Sequence, residues 1–150
     1  ESRHDALRSL ADELNRLRIA NGLIEVTGPG VEVRVDGPLG IYDLQDLINE
    51  LRNAGAEAIS INGARIVASS IIAQQGQRAI VDGIVFSAPY TFSAIGDPAT
   101  LAEASSRRGG TLDLLASGNP DLKVTAERRQ ALVLPAFRRS YVFTYATIAR

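Results

Sequence analysis

The spacing of apolar residues changes at Gly55, and this change marks the centre of the predicted fold. Before Gly55, apolar residues recur at i, i+3, i+4 and i+7, at Leu44, Leu47, Ile48 and Leu51. This spacing predicts a helix with one buried face, with Asp43 as its N-cap and Gly55 as its stop. After Gly55, Ile59 and Ile61 alternate with small or polar residues, which predicts a strand. The stretch 43–65 therefore reads as a helix followed directly by a strand.

Residues 3–20 form a second helical pattern, with leucines at the a and d spacing of a coiled coil, namely Leu7, Leu10, Leu14 and Leu17. One interpretation is an amphipathic helix that packs on its own domain. The other is the end of a longer stalk that dimerises or acts as a spacer. Because two heptads alone are marginal in water, we expect an N-terminal portion to precede them. We therefore expect residues 1–20 to form a stalk helix and residues 21–150 a single domain.

Turn residues separate the remaining segments. Gly28, Pro29 and Gly30 lie between two β-rich segments, 23–27 and 31–36, which predicts a hairpin. Asp82 and Gly83 predict a two-residue I′ turn, and Asp97 followed by a proline predicts the start of a helix that extends to about residue 107. Further extended segments are predicted at 66–74, 79–86, 90–95, 122–125, 132–135 and 141–147, with a short helical turn at 113–116.

In chain order these elements predict an α+β fold, a ferredoxin-like βαββαβ core with an inserted β-hairpin and helices on one face of the sheet. Alternation places polar residues on the other face, namely Glu32, Arg34, Asp36, Ser60, Lys123 and Thr125. This face is either solvated or a docking surface for a partner, because mixed charges favour oriented binding.

Composition excludes several functions. The 150 residues include 16 basic and 17 acidic ones, so no basic field attracts nucleic acid, and we expect no nucleic-acid partner. The chain has no cysteine, which excludes disulfides, thiolate zinc sites and a cysteine nucleophile. Its one histidine, His4, lies outside the predicted domain, so a Ser-His-Asp arrangement within the domain is excluded. We expect no catalytic residue, cofactor or metal site.

Carboxylates provide one alternative. Asp36, Asp82 and Asp97 follow or join predicted strands, and two such acids on neighbouring strands could hold Mg²⁺ for phosphoryl transfer, as in palm-like ferredoxin folds. A turn explains Asp82 and a helix cap explains Asp97 without any metal. A metal-dependent nucleotide-binding or phosphoryl-transfer domain remains the alternative function.

Three segments resemble a known family, namely GLIEVTGPGVEVRVDG, DLQDLINELRNAGAEAISINGARI and APYTFSAIGDPATL. The chain resembles, over about residues 17–135, the YlxW/YlxX-like bacterial "division initiation proteins", a domain of unknown function numbered 881. The resemblance implies a single-pass membrane protein with a coiled-coil stalk and an extracytoplasmic domain, linked to the cell envelope or division. It implies envelope proteins as partners and membrane contact only through a preceding N-terminal segment, while the leucine spacing of the stalk makes a homodimer possible. It brings no catalytic residues, and the tail 136–150 departs from its pattern.

Several residues belong to the family signature, namely Asn49, Glu50, Gly55, Ala56, Glu57, Asn62, Gly63, Arg65, Pro89, Ile95, Gly96 and Asp97. We expect Asn62, Gly63 and Arg65 to approach Gly96 and Asp97 at one end of the sheet. There Arg65 either pairs with Asp97 or Glu57 as a structural ion pair, or forms a small cleft in which it contacts an anionic group of a ligand or partner peptide.

Overall fold

The computed structural model describes residues 2–137 and 145–149, and within them it contains four helices and eight strands. In chain order these are α1 Ser2–Ala20, β1 Val26–Asp36, α2 Ile41–Asn53, β2 Ala58–Ile61, β3 Ala64–Ile66, β4 Ile72–Gln75, β5 Arg78–Val81, β6 Ile84–Phe86, β7 Tyr90–Ile95, α3 Pro98–Ser106, α4 Thr111–Gly118 and β8 Lys123–Leu134. The predicted α+β class is confirmed.

Two antiparallel sheets organise the described residues. The larger has the strand order β3-β2-β7-β1-β8, and the smaller has the order β4-β5-β6. The apolar stripe of α2 and Leu101 of α3 belong to the same buried cluster as Val31, Val33 and Val35 of β1. The helices α2 and α3 therefore pack on one face of the larger sheet, as the alternation in β1 predicts.

The segment around Gly28, Pro29 and Gly30 lies within one strand, so the predicted hairpin is wrong. β1 pairs with β8 on both sides of this segment, and the register shifts between Gly28 and Gly30. Pro29 lies at this irregularity, where its missing N–H is tolerated, and its carbonyl accepts a hydrogen bond from Gly96 N at 2.9 Å. A Cβ on Gly30 would lie 1.8 Å from the Ala94 carbonyl oxygen. Gly30 therefore allows β1 and β7 to approach closely.

The boundaries of α2 agree with the prediction at one end only. Gly40 precedes the helix and no side chain caps it, so Asp43 lies in the first turn and is not the N-cap. At the other end Gly55 has φ 95°, and its N–H donates to Arg52 O while Ala56 N donates to Leu51 O. These two bonds form a Schellman motif, which confirms the predicted stop.

Two tight turns join neighbouring strands in the described part of the chain. Asp82 and Gly83 have φ 51° and 82°, which confirms the predicted I′ turn between β5 and β6. Asn62 and Gly63 have φ 48° and 81° and form a second turn of this kind between β2 and β3.

The C-terminal part differs from the prediction. The strands predicted at 122–125 and 132–135 are the ends of one strand, β8, because the residues between them also pair with β1. Of the extended segment predicted at 141–147, residues 141–144 lie outside the described residues. Residues 145–149 form neither helix nor strand.

Helix α1 has no buried residue. Its four leucines are between 48% and 66% exposed. The interpretation of α1 as a helix docked on its own domain is therefore wrong. Within the part of the chain that the structure describes, no helix is both long enough and apolar enough to cross a membrane.

Candidate functional site

Arg65 lies on β3 and is only 3% exposed. Its Nη1 donates hydrogen bonds to the carbonyl oxygens of Ile24 and Pro135, each at 3.1 Å, and its Nη2 donates to that of Ile19 at 2.8 Å. Burial lowers the pKa of the Arg65 guanidinium. An arginine still keeps its proton under such conditions, so one buried cation joins the end of α1, the α1–β1 connection and the residue after β8.

The end of α1 is closed by the residues that contact Arg65. Gly22 has φ 70°, its N–H donates to Ile19 O, and Leu23 N donates to Arg18 O, which is again a Schellman motif. The guanidinium adds a positive charge where the helix dipole is negative. Gly22 O also accepts from Phe137 N at 2.7 Å. We call Ile19, Gly22, Ile24, Arg65 and Pro135 the junction.

Gly22 also fixes the junction sterically. A Cβ there would lie 2.4 Å from Val67 Cγ1 and 3.2 Å from Phe137 Cβ. The positive φ and this close packing both favour glycine. The exposed helix is therefore joined to the domain through a packed, hydrogen-bonded contact.

A cavity of about 340 Å³ lies beside Arg65. β3, the β5–β6 turn and residues 135–137 line it. In that turn, Asp82 Oδ1 accepts a hydrogen bond from Ile71 N at 2.8 Å. Arg65 Nε and Asp82 Oδ2 are both buried and have no hydrogen-bond partner among the residues that the structure describes. Arg65 and Asp82 both line the cavity, but these two unpaired atoms are themselves buried and not open to it.

The predicted pairing of Arg65 with Asp97 or Glu57 is wrong, because its guanidinium contacts carbonyl groups. The reason is the direction of the strands. β2 and β7 are antiparallel, so Ile61 at the end of β2 pairs with Phe92, near the start of β7. The turn after β2 and the residues after β7 therefore lie at opposite ends of the sheet.

Asn62 and Gly63 consequently meet the start of β7. Asn62 Oδ1 accepts from Thr91 N at 2.7 Å, and Asn62 Nδ2 donates to Pro89 O at 3.4 Å. Three signature residues, Asn62, Gly63 and Pro89, thus hold the β2–β3 turn against β7. Their observed role is structural.

Glu57, Gly96 and Asp97 meet at the other end. Glu57 N donates to Ile95 O at 2.8 Å, and a Cβ on Gly96 would lie 2.9 Å from a methyl of Leu101. Asp97 Oδ2 accepts from Thr100 N at 2.9 Å and from its hydroxyl at 2.6 Å, which confirms the predicted cap of α3. The hydrogen bonds from the Thr100 side chain and main chain lower the pKa of Asp97.

Glu50 and Asn49 lie apart from both groups, on α2. Glu50 Oε1 accepts from Thr111 N at 2.9 Å and from Thr111 Oγ1 at 2.7 Å, so a residue of α2 caps the N-terminus of α4. Asn49 is exposed and lines a shallow groove with Arg52.

The polar face of the sheet carries the charges that alternation placed there. Arg129 Nη2 lies 3.5 Å from Glu32 Oε1, and Arg34 lies 4.0 Å from Asp36 Oδ2. Lys123 and Thr125 are exposed, as predicted.

Ser60 departs from this pattern, because it is only 4% exposed. It pairs in register with Arg65, and the Arg65 side chain donates hydrogen bonds to the α1–β1 connection and to the residue after β8. One end of the polar face is therefore covered, and the predicted exposure of Ser60 is wrong.

The three acids of the alternative function do not gather. Asp36 follows Val35, which pairs with Tyr90 at the start of β7, whereas Asp97 lies beyond the end of β7. Asp82 lies in the smaller sheet. Within residues 2–137 and 145–149, no group of three or more His, Cys, Asp or Glu side chains could hold a metal ion.

Most of the lining of the cavity could not be identified from the sequence. The sequence explains Asp82 by its turn, with a Mg²⁺ ligand as the alternative, and neither interpretation places it beside Arg65. Phe137 lies in the tail, outside every motif. A signal for the cavity existed in Asn62-Gly63, since a second tight turn places Arg65 on a short strand directly after it.

These features define a class of protein: a mixed α+β domain with an exposed N-terminal helix, which a buried arginine joins to the domain. The chain belongs to the family described as "Bacterial protein of unknown function (DUF881)", whose model matches residues 13–147. The resemblance to the YlxW/YlxX-like proteins is therefore confirmed.

Its relatives include UPF0749 protein Rv1825 of Mycobacterium tuberculosis, 42% identical over 115 residues, which cover 72% of this chain and 39% of the relative. UPF0749 protein YlxW of Bacillus subtilis is 30% identical over 135 residues, which cover 81% of this chain and 58% of that protein. The chain thus spans only part of these relatives. The crystal structure of an uncharacterized conserved protein from Mycobacterium tuberculosis is similar with a TM-score of 0.80 and 34% identity, covering 91% of this chain and 99% of that one.

Proposed function

We propose that the chain is a non-enzymatic interaction domain held at the end of a dimerising helical stalk. In this proposal it is the extracytoplasmic part of a single-pass bacterial membrane protein that acts with other envelope proteins in the cell envelope or division. The membrane anchor and the site of action rest on the family resemblance, and the stalk rests on α1.

The exposed leucine stripe of α1 is the observation that carries the proposal. Four leucines lie on one side of a helix with no buried residue, so their apolar surface stays in water unless a partner covers it. Their spacing of three, four and three residues suits the seam of a two-stranded coiled coil. A second copy of the same helix is therefore the partner that we propose.

The rest of the fold supports an interaction role. The order β8-β1-β7-β2 supports the ferredoxin-like βαββαβ plan, with the smaller sheet inserted between β3 and β7. In this plan the polar face stays available to a partner beyond the covered end near Ser60. The junction at Arg65 fixes the direction in which that face points from the stalk.

Sedimentation velocity over a range of protein concentrations tests the stalk. We expect a monomer–dimer equilibrium, and Leu14→Glu should weaken it by about tenfold or more, because a carboxylate would enter an apolar seam. Ser9→Glu is the matched control, since it adds the same charge at a position outside the leucine stripe and should leave the equilibrium unchanged. A wild-type chain that stays monomeric at every concentration, or equal weakening by both variants, would contradict the stalk.

A further inference from the structure

We infer that β8 pairs edge to edge with β8 of a second copy of this chain, antiparallel and centred on Thr125. This inference goes beyond the proposed function, because it adds a self-association surface that is separate from α1. Its starting point is the open edge of the larger sheet. Among the described strands β8 pairs only with β1, and its residues 125–128 are all exposed. An open edge of this kind is a template for another strand.

The alternation of main-chain hydrogen bonds shows which groups of this edge point outward. Thr91 O accepts from Asn62 N, so Thr91 bonds toward β2, and its partner in β1, Arg34, bonds toward β8. Thr125 pairs with Arg34 and therefore bonds toward β1. Because this direction alternates along a strand, the main-chain N–H and C=O groups on either side of Thr125 point away from the sheet. They belong to Val124 and Ala126.

The side chains of β8 are complementary to those of a second copy in this register. When Thr125 lies opposite its own copy, Lys123 of each strand lies opposite Glu127 of the other, so opposite charges face each other twice. Val124 then lies opposite Ala126, and their outward groups can form main-chain hydrogen bonds across the edge. Facing threonines are a favourable cross-strand pair. The two polar faces would lie on the same side of one continuous sheet.

Charge also disfavours the neighbouring registers. Centring on Ala126 would place Lys123 opposite Arg129. Centring on Glu127 or Arg128 would place that residue opposite its own copy. Like charges directly opposite each other are destabilising, so the proposed register is the only one centred on the exposed segment that avoids them. Charged side chains commonly protect an edge strand, and those of β8 leave this one self-pairing open.

Disulfide trapping of the full chain tests this pairing, because the chain has no cysteine of its own. A contact of so few residues is weak, and a covalent bond captures it. Thr125→Cys is combined with Leu14→Glu, so that the stalk does not hold the copies together. Facing residues of this pair have Cβ atoms close enough for a disulfide, so we expect mild oxidation to give a covalent dimer. Ala131→Cys in the same background is the matched control, since it is exposed on the same strand and lies far from its own copy in this register; it should give about tenfold less dimer.

Two further changes to the Thr125→Cys, Leu14→Glu chain test the edge and the register. Ala126→Pro removes an N–H that points away from β1, which an edge strand tolerates. The covalent dimer should therefore be lost while the melting temperature stays within a few degrees. Lys123→Glu places like charges opposite each other and should slow dimer formation about tenfold, and the addition of Glu127→Lys should restore the rate.

The proposal fails if Thr125→Cys gives no covalent dimer, if Ala131→Cys gives as much, or if a folded Ala126→Pro variant still forms it. It also fails if Glu127→Lys does not restore the rate that Lys123→Glu lowers, and this charge reversal decides the matter should Ala126→Pro not fold. Because every variant carries Leu14→Glu, the result is independent of the stalk dimer, and failure of either proposal leaves the other in place.

Discussion

Arg65 joins three segments that lie far apart in the chain, because its acceptors belong to residues 19, 24 and 135. The acceptors are main-chain carbonyls, so the geometry depends on the fork of the guanidinium and on no particular partner side chain. Lysine carries the same charge on one nitrogen, which cannot reach three separated carbonyls with the same geometry.

We predict that Arg65→Lys lowers the free energy of unfolding by about 3 kcal/mol, since hydrogen bonds to a charged group are lost and buried carbonyls stay unpaired. Urea denaturation measures this change. The control is Arg52→Lys, because Arg52 is exposed and makes a single hydrogen bond, to Val67 O at 3.2 Å. Equal stability of the two variants would show that Arg65 does not hold the junction.

The sequence identified Arg65 as a candidate residue and predicted its partners wrongly. In a sequence, the recognisable partners of an arginine are acidic side chains, here Asp97 and Glu57. Carbonyl acceptors occur at every residue, so no sequence pattern distinguishes Ile19 or Pro135 as a partner of Arg65. The residue was predictable, whereas its contacts depended on the tertiary structure.

At the scale of elements, the stability of the start of α3 depends on pH through its N-cap, Asp97. Its carboxylate accepts two hydrogen bonds from Thr100, which lower its pKa below the ordinary value of 3.8. Because the pKa is lower in the folded state, the capping contribution is complete above about pH 4 and disappears as the pH falls through the folded-state pKa.

We predict that Asp97→Ala lowers the melting temperature at neutral pH by about 2–4 °C, through loss of the N-cap. The difference from the wild type should shrink below pH 4, as the wild-type carboxylate becomes protonated. Asp97→Asn still caps the helix and does not titrate, so its melting temperature should stay close to that of the wild type at neutral pH. Thermal melts from pH 3 to pH 7 measure all three, and a difference for Asp97→Ala that does not change with pH would refute the role of the charge.

Elements with a local cause were predictable from the sequence. The stop of α2 at Gly55, the I′ turn at Asp82-Gly83 and the cap at Asp97 each depend on residues next to one another. β1 was not predictable, because Gly28-Pro29-Gly30 has the composition of a turn and becomes a strand only through pairing with β8 and close approach to β7. Pairing with β1 likewise makes β8 one long strand despite its many polar residues.

For the whole molecule, the α+β class could be predicted from the order of helical and extended patterns in the sequence. Whether α1 packs on its own domain could not be predicted in this way. An amphipathic helix has the same pattern whether it packs on its own domain or on another chain, so only the structure shows that α1 leaves its leucines exposed. The leucine stripe and the polar face are therefore separate surfaces, and the junction at Arg65 holds them in one orientation.

Site-specific photo-crosslinking in growing cells that produce the whole protein tests the polar face. We predict a discrete crosslinked product from a probe at Arg34, whose side chain is 51% exposed between Glu32 and Asp36, because mixed charges on an open face favour an oriented partner. A probe at Asp46, on the exposed side of α2, is the control and should give none. If the product is a second copy of the chain and disappears with Leu14→Glu, the stalk alone explains it. If no product forms at Arg34, or both positions give the same product, the polar face is only a solvated surface.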